Sequence, residues 1–282
     1  INVSGNNRTR DEVVHREFRQ YESSWYDGEK IRLSRDRVDR LGYFTEVGIE
    51  TQEVPGSPDQ VDLVISVAEK PTGSLQLGAG FSSAEKVSLS FAVKQENVFG
   101  SGNYLGVDVN TSKYRRTLVF STTNPYFTQD GISRTLDLYY RTDKPYEDQG
   151  GNYQLVTTGA SMRFGVPFSE TDTVFFGGGI EQTKIKPGTN IPAAYLAYAD
   201  TYGFSSNSIP LTIGWSRDDR DSALAPNSGR YQRLNSEWSV AGDARYLRAN
   251  YQYQQYIPLN KRFTVAFNGE LGYGKGMNGR PF

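Results

Sequence analysis

The chain has 282 residues and a net charge of −1, so it carries no basic excess that would favour nucleic-acid binding. The absence of cysteine and the presence of a single histidine, His15, exclude a disulfide scaffold, a thiolate zinc site and a cysteine nucleophile. No stretch approaches the roughly 20 consecutive apolar residues that a transmembrane helix needs. A transmembrane β-strand needs only about 10 residues with one apolar face, and abundant tyrosine, phenylalanine and glycine fit such a protein.

The first seventy residues combine helix and strand signals in the order strand, helix, helix, strand, strand. Thr9 is expected to cap the first helix because Glu12 follows it by three residues, and Gly42 is expected to end the second helix. The predicted elements are a strand at Ile1 to Val3, a helix after Thr9, a helix from about Asp27 to Gly42, and strands at Phe44 to Val54 and Gln60 to Glu69 with a turn at 55–58.

From Gly73 onward the helical signal disappears, and the pattern predicts about eleven strands with one apolar and one polar face. In one of them Leu136, Leu138 and Tyr140 alternate with polar neighbours. About eleven strands enclose a lumen too wide to fill with side chains, which favours a barrel with its apolar face towards lipid over a soluble sandwich or propeller. The residues expected to face lipid are Val107, Val109, Leu136, Leu138, Leu211, Ile213, Trp215, Phe263, Val265 and Phe267.

The first domain, residues 1–70, resembles a POTRA module, the polypeptide-transport-associated repeat of outer-membrane assembly proteins. The order of elements matches, as do the opening Ile1 to Asn6, the helix end Arg40 to Phe44 and the acidic close Val67 to Lys70. A generic α+β domain is the alternative. The resemblance implies a small α+β periplasmic domain.

Residues 71–282 resemble the barrel of the BamA-type outer-membrane assembly proteins. The motifs that match lie at expected turns between strands, in the right order: Glu96 to Gly102, Asn124 to Phe127, Val166 to Glu170, and the barrel-rim motif Asp218, Asp219, Arg220 and Asp221 with Pro226 and Gly229. The rim motif could be mistaken for a carboxylate pair doing acid–base work. An ion-pair network is favoured because arginines alternate with the carboxylates. No catalytic residue and no cofactor is predicted, and the protein is not expected to be an enzyme.

The same resemblance predicts that the barrel is incomplete in this chain. The family continues past the eleventh strand with a long loop carrying a Val-Arg-Gly-Phe-type motif, and Arg280 to Phe282 stand where that loop would begin. Bacterial single-chain barrels normally have an even number of strands. The opening INVSGNNRTR is no signal peptide, so we expect an internal segment of a longer precursor with earlier POTRA repeats.

The function implied by the resemblance is assembly and insertion of β-barrel proteins into the bacterial outer membrane. The first barrel strand would offer its edge to substrate strands at a lateral gate. That strand is expected to comprise Gly73, Ser74, Leu75, Gln76, Leu77, Gly78, Ala79, Gly80 and Phe81. Gly78 and Gly80 would weaken its packing, or would only accommodate barrel curvature.

The partners implied are nascent outer-membrane β-barrel proteins, periplasmic accessory lipoproteins and outer-membrane lipid. The expected surface for a periplasmic partner is the charged helix with Arg32, Arg35, Asp36 and Asp39, although a solvated helix face explains those charges as well. With the POTRA-like domain in the periplasm, alternate turns place Gly100 to Gly102, Asn124 to Phe127, Pro167 to Thr171 and Asp218 to Gly229 on the periplasmic side, and Lys186 to Ser206 outside the cell.

Three other functions remain possible from sequence. A two-partner-secretion-type transporter of the same superfamily would differ in its N-terminal region. A passive porin-like barrel does not explain a POTRA-like module fused to the first strand. A soluble β-rich hydrolase would need convergent catalytic groups, and none stands out in the sequence.

Overall fold

The computed structural model describes residues 1–83, 86–144, 152–189, 191–221, 226–260 and 263–277. The chain forms two compact units, one of Ile1–Leu75 with Val93–Gly106 and one of Gln76–Ala92 with Val107–Phe282. The first unit therefore includes a turn that the predicted domain of residues 1–70 leaves out. Arg280 to Phe282, where the sequence predicts the start of a long loop, lie outside the described residues.

The first unit contains a small α+β domain with the predicted order of elements. They are β1 (Asn2–Ser4), α1 (Asp11–His15), α2 (Gly28–Arg40), β2 (Phe44–Val54) and β3 (Ser57–Glu69). The sheet has the order β1–β3–β2, with β1 parallel to β3 and β2 antiparallel to it. A short 3-10 turn at Val98–Gly100 also belongs to this unit.

The core of this domain is formed by apolar side chains from both helices and from β2 and β3. Asp27 fixes the start of α2 by accepting hydrogen bonds from the backbone N–H groups of Glu29 and Lys30. Gly42, with φ of +72°, follows the end of the helix as predicted. The buried residues are Val13, Val14, Phe18, Val38, Tyr43, Phe44, Val47, Ile65 and Val67.

Two local predictions for this domain are wrong. Thr9 does not cap α1: the cap position is Arg10, which makes no capping hydrogen bond, and the Thr9 hydroxyl instead accepts from Asn97 Nδ2 at 2.8 Å. The sequence could not reveal this competitor because Asn97 is distant in the chain. The turn after β2 is also shorter than predicted, since β3 already begins at Ser57.

The second part of the fold is a single eleven-stranded sheet, which confirms the predicted strand number. Its order is β4 to β14 in sequence, so β4 and β14 are its two ends and the described residues do not close it. Every strand pair whose register is described in this sheet is antiparallel. The strands are β4 (Gly73–Ser82), β5 (Lys86–Gln95), β6 (Tyr104–Thr111), β7 (Arg115–Asn124), β8 (Ser133–Asp143), β9 (Gln154–Pro167), β10 (Asp172–Lys186), β11 (Ser205–Asp218), β12 (Gly229–Gly242), β13 (Tyr246–Pro258) and β14 (Thr264–Gly276).

One face of this sheet is apolar and exposed. The register places Trp215 between Val174 and Leu234, and Leu138 opposite Ala160, so that apolar side chains of neighbouring strands share this face. Leu138 is 53% exposed and Ile213 62% exposed. Val107 and Val109 are only partly exposed. The opposite face carries polar and charged side chains, which suits a water-filled lumen.

A helix within the sheet region was not predicted. Helix α3 (Ala193–Tyr202) lies between β10 and β11, inside the segment Lys186 to Ser206. Its sequence AAYLAYADTY is apolar on most sides and therefore lacks the periodic contrast that identifies an amphipathic helix. No helix in the described part of the chain is long and apolar enough to cross a membrane.

Candidate functional site

The free edge of strand β4 is the strongest candidate for a functional site. Within the residues that the structure describes, β4 is paired only with β5, because it is one end of the eleven-stranded sheet. All of its residues are exposed, including Leu75, Leu77 and Phe81. An exposed edge strand of this kind presents unpaired backbone N–H and C=O groups.

The pairing with β5 identifies which backbone groups are free. The N–H of Glu96 donates to the carbonyl of Thr72 at 3.0 Å, and Ser90 and Ser88 lie opposite Gly78 and Gly80. Because hydrogen bonding alternates along an antiparallel pair, this register directs the backbone groups of even-numbered residues towards β5. The groups directed to the free edge belong to Gly73, Leu75, Leu77, Ala79 and Phe81.

The two central glycines of β4 have a packing reason. A Cβ atom at Gly78 would collide with the hydroxyl of Ser90, and one at Gly80 would lie 2.8 Å from the hydroxyl of Ser88. The glycines therefore leave room for the serines of β5. Beside them lies a groove of 420 Å³ whose lining includes Asn110.

The charged side chains of the predicted partner surface on α2 also make contacts within the domain. Arg32 forms exposed ion pairs with Glu29 at 3.0 Å and Asp36 at 3.2 Å, which is the pattern of a solvated helix face. Arg35 donates from Nε to the carbonyl of Val47 and so joins the helix to β2. Asp39 remains exposed on the same helix.

The rim motif forms an ion-pair network at the turn between β11 and β12. Arg220 donates two hydrogen bonds to Asp218, at 2.8 and 2.7 Å, and these raise the pKa of its guanidinium. Asp219 accepts from Arg230 at 3.0 Å. The carboxylates of Asp218 and Asp219 are thus paired with arginines, which is the ion-pair network that the sequence favours.

The rest of the rim motif shapes the chain. Asp221 accepts from the backbone N–H groups of Asn227 and Ser228, at 2.9 and 3.2 Å, and so folds the turn back on itself. Gly229 has a φ of +98°, and a Cβ atom there would collide with the carbonyl oxygen of Asp219. Pro226 stands just before this turn resumes as β12.

The sequence did not reveal the connection between the turn after β5 and the α+β domain. Asn97 is buried in a left-handed conformation; it donates to Thr9 and accepts from the N–H of Gly102 at 2.7 Å. The N–H of Arg10 donates to the carbonyl of Gly100 at 3.0 Å. The motif Glu96 to Gly102 is therefore more than a turn, and its only sequence signal was the run of Asn and Gly residues.

Comparison with known proteins agrees with this architecture. Residues 97–282 match the Omp85 superfamily domain, and residues 1–70 match the POTRA family, described as a surface antigen variable number repeat. Outer membrane protein assembly factor BamA of Neisseria meningitidis is 37% identical over 98% of this chain and 36% of its own length. BamA of Haemophilus ducreyi lacking POTRA domains 1–3 superposes with a TM-score of 0.78 at 25% identity, over 99% of this chain and 56% of that chain. CdiB of Acinetobacter baumannii shares the fold alone, with a TM-score of 0.58 at 10% identity over 95% of this chain and 51% of its own.

The chain thus spans only 36% of the length of the Neisseria relative. The predicted resemblance is confirmed for both parts of the chain. The predicted location in the outer membrane, with the POTRA domain in the periplasm, is confirmed as well. The chain belongs to the Omp85 superfamily, as a BamA-type segment that joins one POTRA domain to eleven strands of a β-barrel.

Proposed function

We propose that this chain is the part of an outer-membrane protein assembly factor that offers the free edge of β4 to the strands of incoming barrel proteins. The observation that carries the proposal is the register of β4 on β5, which directs the backbone groups of Leu75, Leu77 and Ala79 to the side where the described residues supply no partner strand. The relatives named as BamA assembly factors support it. No catalytic group or cofactor takes part.

The physical problem that such a factor solves is the cost of an unpaired strand edge in hydrocarbon. Each unsatisfied backbone group there costs several kcal/mol, so a nascent barrel cannot insert strand by strand without a partner. The edge groups of Leu75, Leu77 and Ala79 would pair with a substrate strand by β-augmentation. Recognition through the backbone makes the site tolerant of substrate sequence.

The partners of this site are proposed on the same grounds. Nascent outer-membrane β-barrel proteins would bind the edge of β4, and membrane lipid would cover the apolar face of the sheet. Periplasmic accessory lipoproteins would contact the charged face of α2 formed by Arg32, Arg35, Asp36 and Asp39.

A secretion transporter of the same superfamily is less well supported. The assembly factors match by sequence over nearly the whole chain, at 37% identity for the Neisseria protein. A passive porin would leave the POTRA domain without a role.

Proline substitution at edge-directed positions tests the site. Leu77→Pro removes the N–H that β4 would donate to a substrate strand. We expect the rate of substrate insertion by the full-length protein into proteoliposomes to fall about tenfold, the factor that corresponds to 1.4 kcal/mol. Leu77→Ala keeps the N–H and should retain a rate within about twofold of the unchanged protein.

Two controls separate a blocked site from a misfolded barrel. Each variant must show the heat-dependent gel migration of a folded barrel, and Leu75→Pro and Ala79→Pro supply alternatives if Leu77→Pro does not fold. Because the chain contains no cysteine, a reversible disulfide can also tie β4 to the last strand of the full-length barrel. Normal insertion by the folded, cross-linked protein would show that this edge is not the site.

A further inference from the structure

A row of three phenylalanine rings crosses the apolar face of the sheet near its short turns. Phe127 and Phe164 have ring centroids 5.8 Å apart, and Phe164 stacks on Phe176 with centroids 5.4 Å apart. The guanidinium carbon of Arg134 lies 4.3 Å from the centroid of the Phe127 ring. We call Arg134 and these three rings the aromatic row.

The strand register places the aromatic row on the lipid-facing side. Arg134 lies opposite Phe164, and Phe164 lies opposite Phe176. Phe176 in turn lies opposite Ile213, which is 62% exposed. Arg134 therefore shares the face that the barrel turns towards the membrane, and not the lumen.

Arg134 differs from the other arginines on this face at the same end of the sheet. Arg217 lies 3.9 Å from Asp172 and 3.8 Å from Asp219, and Arg230 lies 3.0 Å from Asp219. Within the described part of the chain Arg134 forms no ion pair, and its contact with Phe127 is a cation–π contact. A cation on a lipid-facing surface without a counter-ion is costly, so an anion from outside the chain would be stabilising there.

The position of Arg134 along its strand selects the kind of anion. It is the second residue of β8 and lies opposite Asn124, the last residue of β7. At about 3.3 Å per residue it is therefore within one or two residues of the strand end, at the membrane–water boundary. Lipid phosphates lie at this level, and aromatic girdles mark the same boundary in transmembrane barrels.

We propose that the aromatic row binds a membrane phospholipid through its phosphate. Arg134 would donate two parallel N–H hydrogen bonds to phosphate oxygens, a geometry that the guanidinium group favours. The rings of Phe127, Phe164 and Phe176 would contact the glycerol and the upper acyl chains. In the topology proposed above this end of the sheet is periplasmic, so the ligand is a glycerophospholipid of the inner leaflet. The inference rests on the barrel's place in the membrane and not on the proposed assembly function.

Lipid binding to the full-length protein in detergent tests the site. Native mass spectrometry with phosphatidylglycerol should show an apparent affinity about tenfold weaker for Arg134→Gln than for the unchanged protein, equal to a loss of 1.4 kcal/mol. Phe127→Leu keeps the charge but removes the stacking ring, and should weaken binding severalfold. Arg217→Gln is the matched control on the same face, because that arginine already has carboxylate partners, and it should change binding by less than about twofold.

Two further ligands identify the source of the phosphate. A diacylglycerol with the same acyl chains lacks the phosphate and should bind equally to the unchanged protein and to Arg134→Gln. Lipid A, the phosphate-bearing lipid of the outer leaflet, differs in its sugar headgroup and acyl chains, so Arg134→Gln should weaken its binding less than it weakens the binding of phosphatidylglycerol. Unchanged phosphatidylglycerol binding by Arg134→Gln would overturn the proposal, as would an effect of this variant on lipid A larger than its effect on phosphatidylglycerol.

Discussion

Glu69 shows how one side chain can hold a stretch of backbone. Its carboxylate accepts hydrogen bonds from the backbone N–H of Thr9 at 2.7 Å and of Arg8 at 3.0 Å. Burial raises the pKa of Glu69, but these hydrogen bonds outweigh it and lower the pKa below its ordinary value. The end of β3 thus fixes the segment before α1, the segment that also contacts Asn97 through Thr9.

We expect Glu69→Gln to loosen this segment. Hydrogen bonds to a charged group contribute about 1.5–3 kcal/mol, and the amide replaces only part of that, so local opening should become easier by about 1–2 kcal/mol. Because the folded-state pKa is depressed, the stabilisation is present above the unfolded pKa of about 4.3 and is lost as the pH falls through the folded value. The difference in the free energy of local opening between the unchanged protein and Glu69→Gln should therefore vanish in acid.

Hydrogen exchange of the backbone amides of Arg8 and Thr9 in the full-length protein measures this effect. Glu46→Gln on β2 is a suitable control, since Glu46 is exposed and makes no side-chain hydrogen bond within the residues that the structure describes. Exchange in the control should match the unchanged protein. If Glu69→Gln exchanged these amides at the same rate as the unchanged protein at neutral pH, the carboxylate would not hold the segment.

At the scale of the strand, a glycine in β9 allows β8 and β10 to interact directly. The phenol of Tyr139 in β8 crosses Gly159 and donates to Glu181 in β10 at 2.7 Å. A Cβ atom at Gly159 would lie 2.5 Å from the Tyr139 ring carbon Cζ. We expect Gly159→Ala to destabilise the barrel by about 1–3 kcal/mol, the usual cost of overpacking.

The destabilisation by the clash with Tyr139 can be separated from a general effect of replacing glycine by alanine in a strand. Gly269→Ala in β14 is the matched control, because nothing lies within 4 Å of a Cβ atom at that position. Combining Gly159→Ala with Tyr139→Ala should cost less than the sum of the two single changes, since the clash is removed. Urea unfolding in lipid vesicles measures all four variants, and strict additivity would contradict the proposed contact.

Sequence periodicity predicted the elements that have contrasting faces and missed the one that lacks them. Leu136, Leu138 and Tyr140 alternate with polar residues, so β8 was readily identified. Helix α3 is apolar on most sides, and its Tyr198 packs on Tyr202 with ring centroids 4.7 Å apart, a contact that periodicity does not encode.

Contacts between residues that are distant in the chain could not be predicted from the sequence either. The composition of the motif Glu96 to Gly102 indicated a turn, but not that Asn97 would bond to Thr9, which lies 88 residues earlier. The same applies to β4: its glycines were visible, but the serines of β5 that fill their space depend on the strand register. Local signals therefore predicted the elements, while the contacts that position the candidate site required the structure.

For the whole molecule, the meander of strands divides the connections into two sets. One end of the sheet carries connections of four to ten residues, such as 168–171 between β9 and β10, while the other carries three connections of three residues and the long connection 187–204 with helix α3. Transmembrane barrels place short turns in the periplasm and longer loops outside the cell. The length of 187–204 agrees with the topology that the sequence predicted, but the three-residue connections at the same end do not, so the topology stays a prediction until it is tested.

Cysteine labelling of intact cells tests this topology, because the chain has no cysteine of its own. A cysteine at Thr189, in the long connection, should react with a membrane-impermeant maleimide, whereas a cysteine at Ser101, in the short turn after β5, should react only after the outer membrane is permeabilised. Both cysteines should react once the protein is unfolded, which controls for their intrinsic reactivity. Labelling of Ser101→Cys but not of Thr189→Cys on intact cells would show that the barrel has the opposite orientation in the membrane. The phosphate site of Arg134 would then lie in the outer leaflet.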